Sequence, residues 1–245
     1  MRRRPGIELK SADQIRLMRV AGLVVARILD AVREAARPGI TTKELDQLAC
    51  EQIAAAGATS SFLDYGAGFG LPPFPAVTCI SVNSEVVHGI PGERVLSAGD
   101  LVSVDFGVSK DGWHGDSAIT FGVGELAPPD AALSETTREA MWAGISAARI
   151  GARIGDIGNA VESCIRASRA GFGIIAEYTG HGIGSQMHQP PDVPNLGRPG
   201  RGELLVKGMC LAIEPMVTAG SAVTATLEDE WTVVTRDGSR AAHWE

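Results

Sequence analysis

A repeated order of predicted elements constrains the fold of this chain more than any other sequence feature. The segment ARPGITTKEL (36–45) aligns with ARIGARIGDI (148–157), and GDLVSVD (99–105) aligns with GMCLAIE (208–214). Both matches fall at nearly the same offset, and the elements around them follow in the same order. We therefore predict a duplicated helix-helix-strand-strand unit with a site shared between its halves.

The local signals place these elements along the chain. Ser11-Ala-Asp-Gln14 and Thr41-Thr-Lys-Glu44 have the pattern of capping boxes, which start helices. Helices are expected from Ser11 to the RPG at 37–39, from Thr41 to Gly57, and over 129–149 and 154–171. Strands are expected at 76–82, 100–108, 111–123, 208–217 and 230–235. We expect a flexible tail at 1–10 and a single domain at 11–245, with repeats at about 11–123 and 129–245.

Composition excludes several classes of protein. The net charge is −7, whereas nucleic-acid-binding domains show a basic surface, so we expect no DNA partner. The initial MRRR is expected to be a solvated tail, with a weak contact to RNA or a membrane as the alternative. No apolar run reaches the ~18 residues of a membrane span, and none follows MRRR as in a signal peptide, so we expect a cytoplasmic protein. The four cysteines form no CxxC pair, so neither a thiolate zinc site nor a disulfide framework is expected.

The segment VDFGVSKDGWHGD (104–116) places two acids on one predicted hairpin. With a Lys110-Asp111 turn, Asp105 lies directly opposite Asp116; with Asp111-Gly112, which suits a type I′ turn, the two are diagonal neighbours. In both registers their side chains share one face, with Cβ atoms about 4.5–8 Å apart. Such a pair either shares a proton or binds a cation.

A third acid and a histidine favour the cation. Glu214 ends an apolar segment at the place in the second repeat that Asp105 holds in the first. His181 lies in TGHGIG, where glycines on both sides leave its ring unobstructed. Carboxylates with one imidazole suit divalent Mn, Fe, Co or Zn, and several bridging carboxylates predict two ions that activate a shared water.

Two further histidines are candidates for binding the substrate. His88 lies in NSEVVHGIPG, at the predicted end of a strand, and His188 lies seven residues beyond His181. In a metal-dependent hydrolase, histidines near the metal hold the scissile carbonyl and move protons.

Taken together, these segments resemble the type I methionine aminopeptidases. The motifs that carry the resemblance are HGIPG (88–92), VDFGVSKDGWHGDSAITF (104–121), TGHGIGSQMHQPP (179–191), AIEPMV (212–217) and EDEWTVVTRDGSRAAHWE (228–245). They occur in the family's order from about residue 11 to the end. The resemblance implies an α+β pita-bread fold, with two pseudo-symmetric repeats around a central curved antiparallel sheet.

The resemblance also implies roles for individual residues. The metal ligands would be Asp105, Asp116, His181, Glu214 and Glu245. Asp116 and Glu245 would bridge two ions, Glu214 would accept the proton, and His88 and His188 would polarise the peptide carbonyl. The methionine pocket would be lined by residues near Phe74, Cys79, Met187 and Trp231. Met187 stands where the family usually has an aromatic residue.

The implied reaction removes the initiator methionine from nascent polypeptides whose second residue is small. We expect a monomer acting on nascent N-termini, with the ribosome as an open candidate partner. Two alternatives remain: an Xaa-Pro aminopeptidase or dipeptidase of the same fold, and a non-catalytic family member that acts as a binding protein. Enzymes of the first kind usually carry an extra N-terminal domain, and a protein of the second kind is expected to have lost metal ligands.

Overall fold

Four α-helices carry most of the regular structure in the computed structural model, which describes residues 6–245 except for the side chain of Phe69. The helices are α1 (Ala12–Ala35), α2 (Thr42–Ala55), α3 (Pro128–Ala147) and α4 (Ile154–Ala167), with a 3-10 turn at Ala67–Phe69. All four predicted helices are thus present, and their ends lie within a few residues of the prediction. None of them, across residues 6–245, is both long and apolar enough to cross a bilayer.

Twelve strands are present in the same residues. They are β1 (Thr59–Ser60), β2 (Cys79–Val82), β3 (Glu85–Val87), β4 (Leu101–Lys110), β5 (Trp113–Gly122), β6 (Gly173–Ile174), β7 (Gly180–Gly182), β8 (Gln189–Val193), β9 (Met216–Thr218), β10 (Thr224–Thr226), β11 (Val233–Thr235) and β12 (Ala241–His243). Every pair of these strands is antiparallel. The α+β class with an antiparallel sheet is confirmed.

Capping boxes start the first two helices, as the sequence predicts. The Ser11 hydroxyl accepts from the Gln14 amide at 3.3 Å, and the Gln14 side chain accepts from the Ser11 amide at 2.7 Å. Thr41 and Glu44 make the same reciprocal pair at the start of α2. Each box satisfies amide groups that a helix N-terminus otherwise leaves unpaired.

The long hairpin β4–β5 adopts the second of the two predicted registers. Lys110 pairs with Trp113, and the turn residues Asp111 and Gly112 have φ of 53° and 78°. A turn with two positive φ angles is type I′, which Gly at the second position favours. Asp116 therefore lies opposite Gly107, and Asp105 is its diagonal neighbour on the same face.

Two predicted strands of the second half are shorter than expected, and the strand predicted at 76–82 begins only at Cys79. In segment 208–217 the strand β9 begins only at Met216, because Pro215 has no N–H to continue the ladder, and Leu211 makes a single bridge to Gly182. Only Val233–Thr235 of segment 230–235 is a strand, because Asp229 accepts two of the preceding backbone amides in a turn. Glu214 thus precedes a strand instead of lying within one.

The apolar core divides between the two helix pairs. Buried residues of α1 and α2 pack with β2 and β4, whereas those of α3 and α4 pack with the second half of the chain. A third cluster, with Val87, Met216 and Val233, joins β3, β9 and β11. This arrangement agrees with the proposed duplication, although the repeat boundaries and the single domain stay predictions.

The segment before α1 is fixed by contacts with the second half of the chain. The Lys10 amide donates to the Gly208 carbonyl, and its ammonium donates to the Gln189 side chain at 3.1 Å. Glu8 accepts from the Ser185 amide and the Gln189 side chain. Residues 8–10 of the predicted tail are therefore packed, whereas residues 1–5 lie outside the described part of the chain.

We predict that Gly115→Ala destabilises the protein, because α1 lies directly on β5 at this point. A Cβ on Gly115 would come within 2.6 Å of the Gly22 nitrogen, whereas one on Gly22 meets nothing within 4 Å. Gly115→Ala should lower the free energy of unfolding by roughly 1–3 kcal/mol. The control Gly22→Ala should raise it by up to about 1 kcal/mol, since it removes a glycine from a helix. Urea unfolding measures both; equal effects would contradict this packing.

Candidate metal centre

A cavity of about 160 Å³, partly open to solvent, contains most of the predicted site residues. It lies where β4, β5 and β7 approach the segments before β9 and β11. The lining residues are Phe62, Tyr65, Phe74, Cys79, His88, Asp105, Asp116, His181, His188, Glu214 and Trp231. One side of the cavity is therefore acidic and the other is aromatic.

The two hairpin acids form the acidic side. One oxygen of each carboxylate, Oδ1 of Asp105 and Oδ1 of Asp116, is buried without a hydrogen-bond partner. Burial raises the pKa of Asp105 well above its ordinary value, and the charges of Asp116 and Glu214 raise it further. Buried carboxylate oxygens without partners are costly unless a proton or a cation compensates them.

His181 is held with one ring nitrogen facing these acids. A Cβ on Gly180 would come within 2.3 Å of the Ala212 carbonyl oxygen, and one on Gly182 within 2.3 Å of the Pro190 oxygen. Only glycine fits at these two positions, so the TGHGIG motif lets β7 lie between two neighbouring backbones.

The orientation of the ring follows from one backbone contact. His181 Nδ1 lies 3.0 Å from the Gly182 carbonyl oxygen, so Nδ1 carries the proton of the neutral ring. Its Nε2 then offers a lone pair, 3.7 Å from Asp116 Oδ2 and 3.5 Å from Glu214 Oε1. Burial alone would lower the pKa of His181, but the neighbouring carboxylates raise it above the ordinary value.

Glu245 completes the acidic group from behind the cavity. Its amide donates to the Ala118 carbonyl at 2.9 Å, and its carbonyl accepts from the Ser117 hydroxyl at 2.8 Å. Donor atoms of Asp116, His181 and Glu245 all lie within 4.8 Å of one another. Burial raises the pKa of Glu245 well above its ordinary value, and the three other carboxylates raise it further.

These donor groups fit divalent cations. Four carboxylates and one neutral imidazole are a hard, oxygen-rich set with one nitrogen, which suits Mn, Fe, Co or Zn ions. The buried oxygens without partners on Asp105 and Asp116 are free to bind such ions. The structure thus brings all five predicted ligands together, while their roles as ligands remain a proposal.

The two other predicted histidines lie on the cavity wall. His88 follows β3 with φ of 58°, an uncommon backbone conformation that aims its ring between Tyr178 and Trp231. His188 lies against His181, with ring centroids 4.2 Å apart and the ring planes tilted by 54°. Partial loss of hydration in the cavity, helped by other histidines nearby, lowers the pKa of His88 and of His188 to about 4, although His188 is exposed on one side, so both rings are neutral at pH 7.

The predicted methionine pocket differs at one residue. Phe74, Cys79 and Trp231 line the cavity, but Met187 does not. The Met187 side chain instead fills the space beside Gly107, because that glycine has no side chain of its own.

Three residues near the site were missed by the sequence analysis. Phe62 and Tyr65 line the cavity, and no periodic pattern marks the loop that carries them. His243 approaches Glu214, and it could have been found, because alternate residues of an extended chain share a face and it lies two before Glu245.

A second, larger cleft is a poorer candidate. It measures about 620 Å³ and is open to solvent at the start of α4. Its charged residues have mixed sign and are mostly exposed: Asp192, Arg198, Arg201 and Glu203. The smaller cavity is the better site, because its ionisable groups are buried and converge.

Comparison with known proteins defines the class first. A model of metallopeptidase family M24 matches residues 16–236, and the chain belongs to this family. Membership implies divalent metal ions as cofactors. Over 250 aligned residues, the chain is 52% identical to methionine aminopeptidase 1 of Mycobacterium tuberculosis, covering 100% of this chain and 92% of the relative. The resemblance to the methionine aminopeptidases is confirmed.

Solved structures agree with this assignment. A methionine aminopeptidase from Thermotoga maritima superimposes with a TM-score of 0.92 at 40% identity, covering 97% of this chain and 93% of that chain. A prolidase from Pyrococcus furiosus gives 0.71 at 20% identity, covering 96% of this chain and 60% of that one, which shows a shared fold alone. The expected pita-bread fold is confirmed.

We predict that Asp116→Asn weakens metal binding whereas Asp111→Asn does not. Both substitutions replace one carboxylate by an amide on the same hairpin, but Asp116 faces His181 and Asp111 lies exposed in the turn. The Asp116 variant should lose at least one bound ion per chain, measured by elemental analysis after dialysis against Mn²⁺. Full metal content in that variant would show that Asp116 is not a ligand.

Proposed function

We propose that this protein is a methionyl aminopeptidase, which hydrolytically removes the N-terminal methionine from new polypeptides whose second residue is small. The observation that carries the proposal is the grouping of four carboxylates and one imidazole beside a small aromatic cavity. The methionine aminopeptidases to which the chain is similar support it across the full length of the sequence.

The cavity suits one unbranched apolar side chain. Its volume of about 160 Å³ equals that of roughly five water molecules. Phe62, Phe74 and Trp231 supply aromatic walls, and Cys79 adds a small polarisable group. A methionine thioether is flexible and makes favourable contacts with aromatic rings, so it fits this lining.

We infer that Asp105, Asp116, His181, Glu214 and Glu245 hold two divalent ions. When bound, these ions would supply Lewis acidity that lowers the pKa of water and stabilises developing negative charge. Asp116 and Glu245 are the proposed bridges. Asp116 borders both the main cavity and a second one of about 200 Å³ behind the hairpin, and Glu245 borders the latter.

The remaining residues hold the substrate and move protons. His88 and His188 are neutral at pH 7, so each can donate a hydrogen bond to the scissile carbonyl without adding charge. Glu214 lies on the cavity wall beside His181 and is the proposed acceptor of the water proton. His88 and Glu214 are half-buried, whereas His188 is exposed to solvent.

The alternatives receive less support. The prolidase likeness, at 20% identity, extends to the fold alone, whereas identity is 40% to the Thermotoga maritima methionine aminopeptidase and 52% to the Mycobacterium tuberculosis one. A non-catalytic role would not require four buried carboxylates, whose enclosure costs free energy. We further propose nascent polypeptide N-termini as the substrate, a cytoplasmic location and a monomeric state, with the ribosome as a candidate partner.

The proposal is tested by methionine release from the peptide Met-Ala-Ser. Activity should require added Co²⁺ or Mn²⁺, disappear with a chelator and return on readdition of metal. The Asp116→Asn variant should be inactive and Asp111→Asn fully active. A peptide beginning Ala-Pro should release little alanine. Absence of methionine release with every divalent ion would refute the proposed function, and faster cleavage of Ala-Pro would favour the prolidase-like alternative.

We predict that Gly66→Ala raises KM for methionine peptides by displacing Trp231 from the pocket wall. A Cβ on Gly66 would come within 2.5 Å of the Trp231 ring, whose Nε1 donates to the Pro72 carbonyl. The control Gly70→Ala also places alanine at a positive φ, 80° against 98°, but its Cβ meets nothing within 4 Å. KM should rise several-fold for Gly66→Ala alone. Equal KM values for the two variants would rule out this role of Gly66.

A further inference from the structure

His243 is a buried histidine that the proposed reaction does not use. It lies in β12, is 1% exposed, and its Nε2 is buried without a hydrogen-bond partner. A buried donor or acceptor that makes no hydrogen bond costs about 1–3 kcal/mol. We therefore expect His243 Nε2 to have a hydrogen-bond partner in the active form of the protein.

The group that faces this nitrogen is Glu214. His243 Nε2 lies 3.6 Å from Glu214 Oε2, while the other oxygen, Oε1, lies 3.5 Å from His181 Nε2. Two imidazoles thus flank one carboxylate, with the proposed ligand His181 on one side and His243 on the other. At 3.6 Å the pair is just outside hydrogen-bond distance, so a small rotation of the carboxylate closes it.

The backbone of His243 is held more tightly than its position near a strand end would require. Its amide donates to the Thr120 hydroxyl at 2.9 Å, and its carbonyl accepts from the same hydroxyl at 2.6 Å. The Thr120 oxygen also pairs with the Ser103 hydroxyl at 2.8 Å, and β12 pairs with β9 through Met216. The backbone of His243 is therefore fixed relative to the hairpin that carries Asp105 and Asp116.

We propose that His243 is a positioning residue, which donates from Nε2 to Glu214 Oε2 and thereby orients this carboxylate for metal binding and proton transfer. This inference rests on the proposed function of the site. Groups that hold metal ligands from outside typically change metal affinity by about 10–100-fold when removed. His243 touches neither substrate nor water in this role, so its effect passes entirely through Glu214.

The test compares His243→Leu and His243→Gln with the unmodified full-length protein. Leucine keeps the volume and removes the donor, whereas the glutamine amide can replace it. Co²⁺ binding, followed by calorimetry, should be about 10–100-fold weaker for the leucine variant, with both ions still bound at saturation. The glutamine variant should recover most of the affinity. At saturating Co²⁺, kcat for Met-Ala-Ser should fall for leucine with little change in KM.

Thermal unfolding in chelator separates positioning from structure. In the metal-free protein His243 Nε2 makes no hydrogen bond, so the leucine variant should unfold in chelator at the temperature of the unmodified protein or above it. Thr235→Val is the control, since it removes a different buried polar group, the Thr235 hydroxyl, which donates to the Ser239 carbonyl. It should leave Co²⁺ affinity unchanged.

Several results would overturn the proposal. Unchanged affinity in the leucine variant would remove any role for His243, and loss of one ion at saturation would make it a ligand. Failure of glutamine to restore affinity, or a lower unfolding temperature in chelator, would make its role structural. If the unmodified protein binds no divalent ion, the proposed function fails as well; if it binds two and only the variants behave unexpectedly, the proposed function stands and this inference fails.

Discussion

Mutual repulsion among four buried carboxylates is the constraint on which the rest of this structure depends. Asp105, Asp116, Glu214 and Glu245 converge on one small volume, and burial together with their neighbours' charges raises the pKa of Asp105 and Glu245. Enclosing such charges costs several kcal/mol for each ion in a protein interior. The two helix pairs and their apolar cores must offset this cost, and bound cations would remove most of it.

Backbone groups, together with the hydroxyls of Ser117 and Thr120, set the geometry of the site. Glycines on both sides of His181 let β7 pass between two other backbones. The Ala118 carbonyl fixes Glu245, and the Thr120 hydroxyl fixes His243 on the same edge of β5. Strand β5 therefore holds both its own Asp116 and the distant residues His243 and Glu245 in position. Metal-assisted hydrolysis requires such precise placement of its reacting groups.

Much of this arrangement could be predicted from the sequence, because acids on apolar strands and capping boxes are local signals. Two hairpin registers were compatible with the sequence, and the positive φ angles of the turn residues Asp111 and Gly112 distinguish between them. Two predictions were less accurate. Met187 was expected in the pocket but lies beside Gly107, and Glu214 was expected within a strand that Pro215 instead delays to Met216. His243 was missed because its contact with Glu214 joins two separate segments, although its place two residues before Glu245 puts it on the same face of the extended chain as that acid.

The position of Glu245 also determines when the site can form during synthesis. The Ser117 hydroxyl bonds to the Glu245 carbonyl across a sequence separation of 128 residues. At roughly 5–20 residues per second, on the order of ten seconds pass between the synthesis of Asp105 and that of Glu245. During that interval His181 and Glu214 are also synthesised, so Glu245 is the last of the five proposed ligands to be made. A growing copy of this protein therefore gains its full set of donor groups only after residue 245 has left the ribosome.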